Sequence, residues 1–121
     1  DILSLHCPLS DRTKGLINKE AFARMKRSAV LVNVARGPVV DTQALYDALI
    51  NNQISGAGLD VLEKEPMAKD NPLAQIKDST RLIITPHMAW ASLESRTHLV
   101  EEVARNIEAF LAGENRNVVN L

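Results

Sequence analysis

Residues 31–41, LVNVARGPVVD, constrain the fold more than any other stretch of this chain. Val30, Leu31 and Val32 form a short apolar, β-branched run that suits a buried strand. Asn33, Arg36, Gly37 and Pro38 follow as a turn, and then comes Asp41, whose side chain can cap a helix. The order strand, turn, helix places one arginine between small neighbours at the carboxyl end of the strand. Open α/β sheets bind their ligands at that end. On position alone, Arg36 is as well explained as one more solvated surface charge.

The rest of the chain repeats the alternation. Ile2–Leu5 predicts a first strand, stopped by His6-Cys7-Pro8 because proline has no N–H for a ladder. After a loop over residues 8–15, Asn18 can cap a short helix over 19–25, in which Phe22 and Met25 share a face. Strand two covers 30–34. Asp41 caps a helix over 42–51, where Ala44, Leu45, Ala48 and Leu49 make the stripe of a helix laid on a sheet. Residues 56–61, GAGLDV, predict a third strand, followed by a charged loop with Pro66 and Pro72 and at most one helical turn at 73–76. Leu82–Ile84 is the fourth strand and delivers Thr85-Pro86-His87. Ser92 can cap a long helix over 93–112 that ends at Gly113; Leu99, Val100, Val103, Ile107, Phe110 and Leu111 form its apolar stripe, and Glu101, Glu102, Arg105 and Glu108 face away.

Crossovers of this length between apolar strands imply an α/β fold, a parallel sheet flanked by helices in right-handed units. With 121 residues, 45% of them hydrophobic, the chain can build one core of ordinary size. Aromatic residues are only 3%, so that core must be aliphatic. A formal net charge of -1 gives no electrostatic case for nucleic acid or an anionic membrane as partner, and no apolar run approaches a membrane span. The single cysteine, Cys7, allows no intrachain disulfide, and a reducing, cytoplasmic setting is the expectation. The chain opens on Asp1 without Met or a basic start, which reads as the middle of a longer protein cut just before a strand. No G-x-G-x-x-G occurs; the GAG of Gly56 to Gly58 opens no helix, so no phosphate-cradling loop is expected here.

The chemistry sits at strand ends. His6-Cys7-Pro8, Val34-Ala35-Arg36, Asp60 with Glu65 beyond it, and Thr85-Pro86-His87 all follow strands. A parallel sheet puts such segments on one edge, where residues far apart in sequence converge. Arginine offers a planar fork for a carboxylate, and a histidine beside a carboxylate is a general acid and base. Arg36, Glu65 and His87 together would suit an α-keto or α-hydroxy acid. Each also has a plain structural reading: His87 closing a strand, Glu63 and Glu65 as solvated loop charges, Asp60 bonding a neighbouring turn, Cys7 as an unreactive wall.

The runs LHCPLSDRTKGLIN, LVNVARGPVVD, GAGLDVLEKEP and ITPH, in that order across nearly the whole chain, resemble the carboxy-terminal part of the D-isomer-specific 2-hydroxyacid dehydrogenase family. The resemblance implies half of a Rossmann-like doubly wound sheet with a long C-terminal helix, and NAD as cofactor. NADP stays open, because the residue that reads the ribose lies outside the chain. It implies that Arg36 orients the substrate, His87 is the acid/base and Glu65 its partner. Asp60 matches an aspartate near the nicotinamide ring; Cys7, Pro8, Val34 and Ala35 match the wall of the dinucleotide cleft, with Thr13 a weaker member. No metal is implied.

Where many relatives have a glycine-rich stretch after TPH, this chain has Met88-Ala89-Trp90-Ala91, which resembles the glycerate dehydrogenase or hydroxypyruvate reductase branch and adds Ala89 and Trp90 to the expected cofactor region. Residues 1–91 are then a partial dinucleotide-binding domain, and 92–121 a helix and tail returning toward a substrate domain outside the chain. The expected substrate is a small 2-hydroxy or 2-oxo acid. A homodimer is expected for the whole protein; for the piece alone, no activity and self-association through the open edge at Ile2–Leu5 or through the last helix. The alternatives from the same resemblance are a dinucleotide-sensing corepressor and an inert folded fragment.

Overall fold

A computed structural model describes residues 1–78 and 80–119; Asn120 and Leu121, which close the expected tail, lie outside the described residues. Strands β1 (Ile2–Leu5), β2 (Val30–Asn33), β3 (Gly56–Leu59) and β4 (Leu82–Ile84) pair in parallel, in sequence order. The register sets Leu5 beside Asn33, Asn33 beside Leu59 and Leu59 beside Ile84. All four strands therefore stop in one row, and the residues after them share one edge of the sheet. β1 is an outer strand, with Ile2 75% exposed.

Helices α1 (Lys19–Ala23), α2 (Thr42–Ile50) and α3 (Leu93–Leu111) begin where their caps predict. Asn18 accepts from the Ala21 N–H at 3.0 Å, Asp41 from Ala44 at 2.9 Å and Ser92 from Ser95 at 3.1 Å. Each bond satisfies an amide that a helix start leaves without a partner.

The ends differ from the sequence reading by one or two residues, for local reasons. α1 stops before Met25 because the Arg24 and Met25 amides bond to the carbonyls of Ala21 and Phe22, three residues back, which tightens the last turn. β2 stops before Val34 because the Ala35 amide goes to the Asn33 side chain instead of a ladder. β3 ends at Leu59, level with the last residue of β2, Asn33; the Asp60 amide still reaches the Asn33 carbonyl. A 3-10 turn, Gly37–Val39, stands between β2 and α2. Asn51 caps α2 instead of extending it. The single helical turn of the charged loop is a 3-10 turn over Pro72–Gln75, capped by Asn71. α3 ends at Leu111, with Ala112 as its cap.

The chain forms two compact units, Asp1–Met88 with the sheet and Ala89 onward with α3. In the first, Leu31 and Ala57 of the sheet are buried in one core with Phe22 and with Ala44, Leu45, Ala48 and Leu49, the stripe that the α2 spacing predicts. Full burial of a leucine such as Leu45 or Leu49 contributes about 1.5–3 kcal/mol.

In the second unit Arg105 pairs with Glu101 and Glu102, Arg116 with Glu102, and Asn117 with Asn106. The tail thus bonds to polar side chains of the helix. The apolar stripe stays largely uncovered, with Phe110 81% exposed.

Gly37 joins the turn after β2 to the segment after β3. A Cβ at this position would lie 1.9 Å from the Leu62 carbonyl carbon and 2.0 Å from its oxygen, so the backbones can approach only because Gly37 has none. Gly15 is different: its φ is +63° and nothing lies within 4 Å of an added Cβ. Gly37→Ala should cost about 3 kcal/mol or more in urea unfolding, the upper end for overpacking, since backbone must move. Gly15→Ala should cost about 1 kcal/mol, the strain of its conformation alone. Equal losses would contradict this account of Gly37.

Candidate active site

The segment after β4 is pinned at two points by one buried carboxylate. Asp60, 5% exposed, accepts from the Thr85 hydroxyl at 2.6 Å and from the Met88 amide at 2.8 Å, both at Oδ1. Between these pins the His87 amide donates to the Thr85 carbonyl at 3.0 Å, and His87 has a φ of +53°. A side chain at positive φ is uncommon and persists when its surroundings hold it; here the Asp60 bonds on either side do so.

The His87 ring meets the loop after β3, where Nδ1 lies 2.8 Å from Glu65 Oε2. The other Glu65 oxygen accepts from the Leu62 amide at 2.8 Å. These bonds hold the Glu65 carboxyl below its ordinary value of 4.5, the Leu62 N–H contributing most and His87 next. Both side chains remain part-exposed and face a cavity of about 390 Å³, lined by Asp60, Glu65, Pro66, Met67, Thr85 and His87 among others.

Arg36 belongs to a second cavity on the same edge, beyond β1 and β2. It measures about 510 Å³ and is walled by His6, Cys7, Pro8, Leu9, Val34, Ala35 and Arg36. The arginine is exposed on an extended backbone, and its Nη1 donates to the Ala35 carbonyl at 2.7 Å. Thr13 lines neither cavity; its hydroxyl donates to the Pro8 carbonyl at 2.7 Å and accepts from the Ser10 amide at 2.8 Å, which braces the loop carrying Cys7 and Pro8.

The structure thus brings Glu65 and His87 into direct contact, with Asp60 behind His87. Arg36, expected alongside that pair, shares the sheet edge but lines the other cavity and bonds the Ala35 carbonyl rather than Glu65. Ala89 and Trp90 fall in the second unit, ahead of α3, with Trp90 56% exposed. Three residues went without a role in the sequence reading. Asn33 is buried and bonds the turn that carries Arg36, and an Asn closing a strand before a turn was the available signal. Gly37 gave no more than a turn signal, and Thr85 needed the register to be seen beside Asp60.

The chemistry of the second cavity fits one half of a nicotinamide dinucleotide. Its volume lies in the range of ligand sites, and Cys7, Pro8, Val34 and Ala35 are small side chains that leave room for a flat ring, while His6 and Arg36 add polar groups to a largely polar lining.

Comparison with known proteins gives the family. The family model "D-isomer specific 2-hydroxyacid dehydrogenase, NAD binding domain" matches residues 1–89, and the chain belongs to this family. It is 53% identical over 112 residues to a putative 2-hydroxyacid dehydrogenase of Haemophilus influenzae, covering 92% of this chain and 36% of that protein. It is 46% identical over 120 residues to a hydroxypyruvate reductase of Blautia hydrogenotrophica, covering 99% and 36%. Among solved structures, an acyclic imino acid reductase in complex with NADPH and D-Arg superposes with a TM-score of 0.88 at 40% identity, over 99% of this chain and 37% of that one. The chain spans little more than a third of the length of each of these relatives.

A depressed carboxylate stabilises the fold above its unfolded value, and that contribution is lost as the pH falls through the folded value. The Glu65 side-chain carboxyl, followed by carbon NMR, should titrate with a midpoint below 4.5. In His87→Ala the midpoint should rise only part of the way back, because the Leu62 amide remains. A midpoint at or above 4.5 in the unsubstituted protein would contradict the bonding described.

Proposed function

We propose that this chain is the nicotinamide-facing part of a longer D-2-hydroxyacid dehydrogenase that interconverts a small D-2-hydroxy acid, such as glycerate, with its 2-oxo acid, such as hydroxypyruvate. The observation that carries the reading is the 2.8 Å contact between His87 Nδ1 and Glu65, on the sheet edge that also presents Arg36. Met88-Ala89-Trp90-Ala91 and the hydroxypyruvate reductase relative support the choice of substrate.

Cys7, Pro8, Val34, Ala35, Arg36, Asp60 and His87 are the residues of the first unit that would hold NAD, with Thr13 bracing the loop. NADP stays open, as the NADPH-bound relative illustrates. When bound, NAD would supply the hydride chemistry at C2 of the substrate.

Arg36 holds the substrate carboxylate with its planar fork, which carries five N–H donors, one of them engaged by the Ala35 carbonyl. His87 has Nδ1 committed to Glu65, so the proton exchanged with the substrate oxygen belongs at Nε2. Glu65 is itself anchored by the Leu62 amide and fixes the ring's orientation and tautomer.

The parent protein is proposed to be cytoplasmic and homodimeric. The exposed outer strand β1 and the α3 stripe are the surfaces through which the chain alone would self-associate. Among the described residues no helix is long and apolar enough to cross a membrane. The chain alone, without a glycine-rich phosphate turn, is proposed to be inactive.

In the full-length protein His87→Ala should lower kcat with hydroxypyruvate by on the order of 10²–10⁴, far more than it weakens NADH binding. Turnover near that of the unsubstituted enzyme would sink the assignment.

A further inference from the structure

In the row of residues that closes the four strands, Leu5, Asn33, Leu59 and Ile84, three are apolar and one is a carboxamide. Asn33 is 1% exposed. A buried amide costs the fold free energy unless its bonds are satisfied, and strand pairing itself does not require one.

The Asn33 bonds go to one place. Oδ1 accepts from the Ala35 amide at 3.0 Å and Nδ2 donates to the Arg36 carbonyl at 3.0 Å. Between these two groups lies the Ala35 carbonyl, the one on which the Arg36 guanidinium rests at 2.7 Å. The Asn33 backbone is in turn held by β3, its carbonyl accepting from the Asp60 amide at 2.9 Å. The strand end, the turn and the guanidinium are thus tied through one side chain.

We propose that Asn33 is a positioning residue for Arg36: by clamping both sides of the Ala35–Arg36 peptide it sets the direction in which the guanidinium leaves the strand end, and with it the grip on the carboxylate of a 2-oxo acid. The positioning rests on this geometry, and its consequence for the substrate rests on the dehydrogenase reading.

Asn33→Asp in the full-length protein separates the two. The carboxylate has nearly the same shape and keeps the acceptor for Ala35, but it loses the donor to the Arg36 carbonyl. The KM for hydroxypyruvate should rise about tenfold or more, as for the loss of one buried hydrogen bond, with the KM for NADH within about twofold. In an Arg36→Lys background the same change should have little further effect, because the two residues act as one unit. Asn33→Ser, whose hydroxyl can still accept from Ala35 but cannot span to Arg36, gives the same test should the Asp variant fold poorly.

A second readout needs no turnover. The Arg36 Nε–H order parameter should be high in the unsubstituted protein and fall below about 0.6 in the Asn33 variants. Absence of hydroxypyruvate turnover by the unsubstituted protein would remove the dehydrogenase reading, and the order parameter would still decide the positioning. The proposal is overturned if Arg36 is equally ordered with and without Asn33, or if the KM effect is undiminished in the Arg36→Lys background.

Discussion

The shared end-point of four parallel strands is the constraint on which the rest of the first unit depends. Leu5, Asn33, Leu59 and Ile84 stand side by side, so four chain segments leave the sheet at the same level. Backbone hydrogen bonds hold that level over the whole sheet, and a slip of one residue in any pair would turn buried side chains toward the opposite face. Because the row holds, Arg36 and His87, 51 positions apart in the sequence, belong to one edge.

Few bonds then connect the segments above that edge. The Asp60 side chain secures the turn after β4, Glu65 links that turn to the loop after β3, and the close packing of Gly37 on Leu62 brings that loop against the turn after β2. Asn33 closes the series by holding the peptide beneath Arg36. Most of these links use backbone on one side, which limits how far a side chain can drift; the Thr85–Asp60 and His87–Glu65 bonds join two side chains. The proposed function, in which an acid group and a proton carrier act at fixed separation, would need such stiffness.

Much of this was legible in the sequence because the signals are local. Asn18, Asp41 and Ser92 announce helix starts within three residues, and Pro8 and the Thr85-Pro86 pair end apolar runs abruptly, so elements and their order follow from short windows. The motifs carrying Arg36, Glu65 and His87 stood out for the same reason. What was not legible depends on contacts between distant segments. Nothing near Gly37 announces that Leu62 will lie against it, and Asn33 looks like a turn residue until its two partners are seen. The division of the edge into two cavities, with Arg36 in one and the Glu65–His87 pair in the other, likewise follows from loop paths rather than from motif order. The α3 stripe is a different case: its periodicity shows that a face needs a partner, but periodicity alone cannot say which surface provides it.

In the proposed function one substrate reaches both parts of the edge, with Arg36 at its acid group and His87 at its oxygen. A crystal structure of the full-length protein with NADH and oxamate, an unreactive analogue of a 2-oxo acid, tests this most directly. The account predicts the oxamate carboxylate on the Arg36 guanidinium and its carbonyl oxygen within hydrogen-bonding distance of His87 Nε2. Oxamate bound away from either residue, with NADH in place, would contradict it.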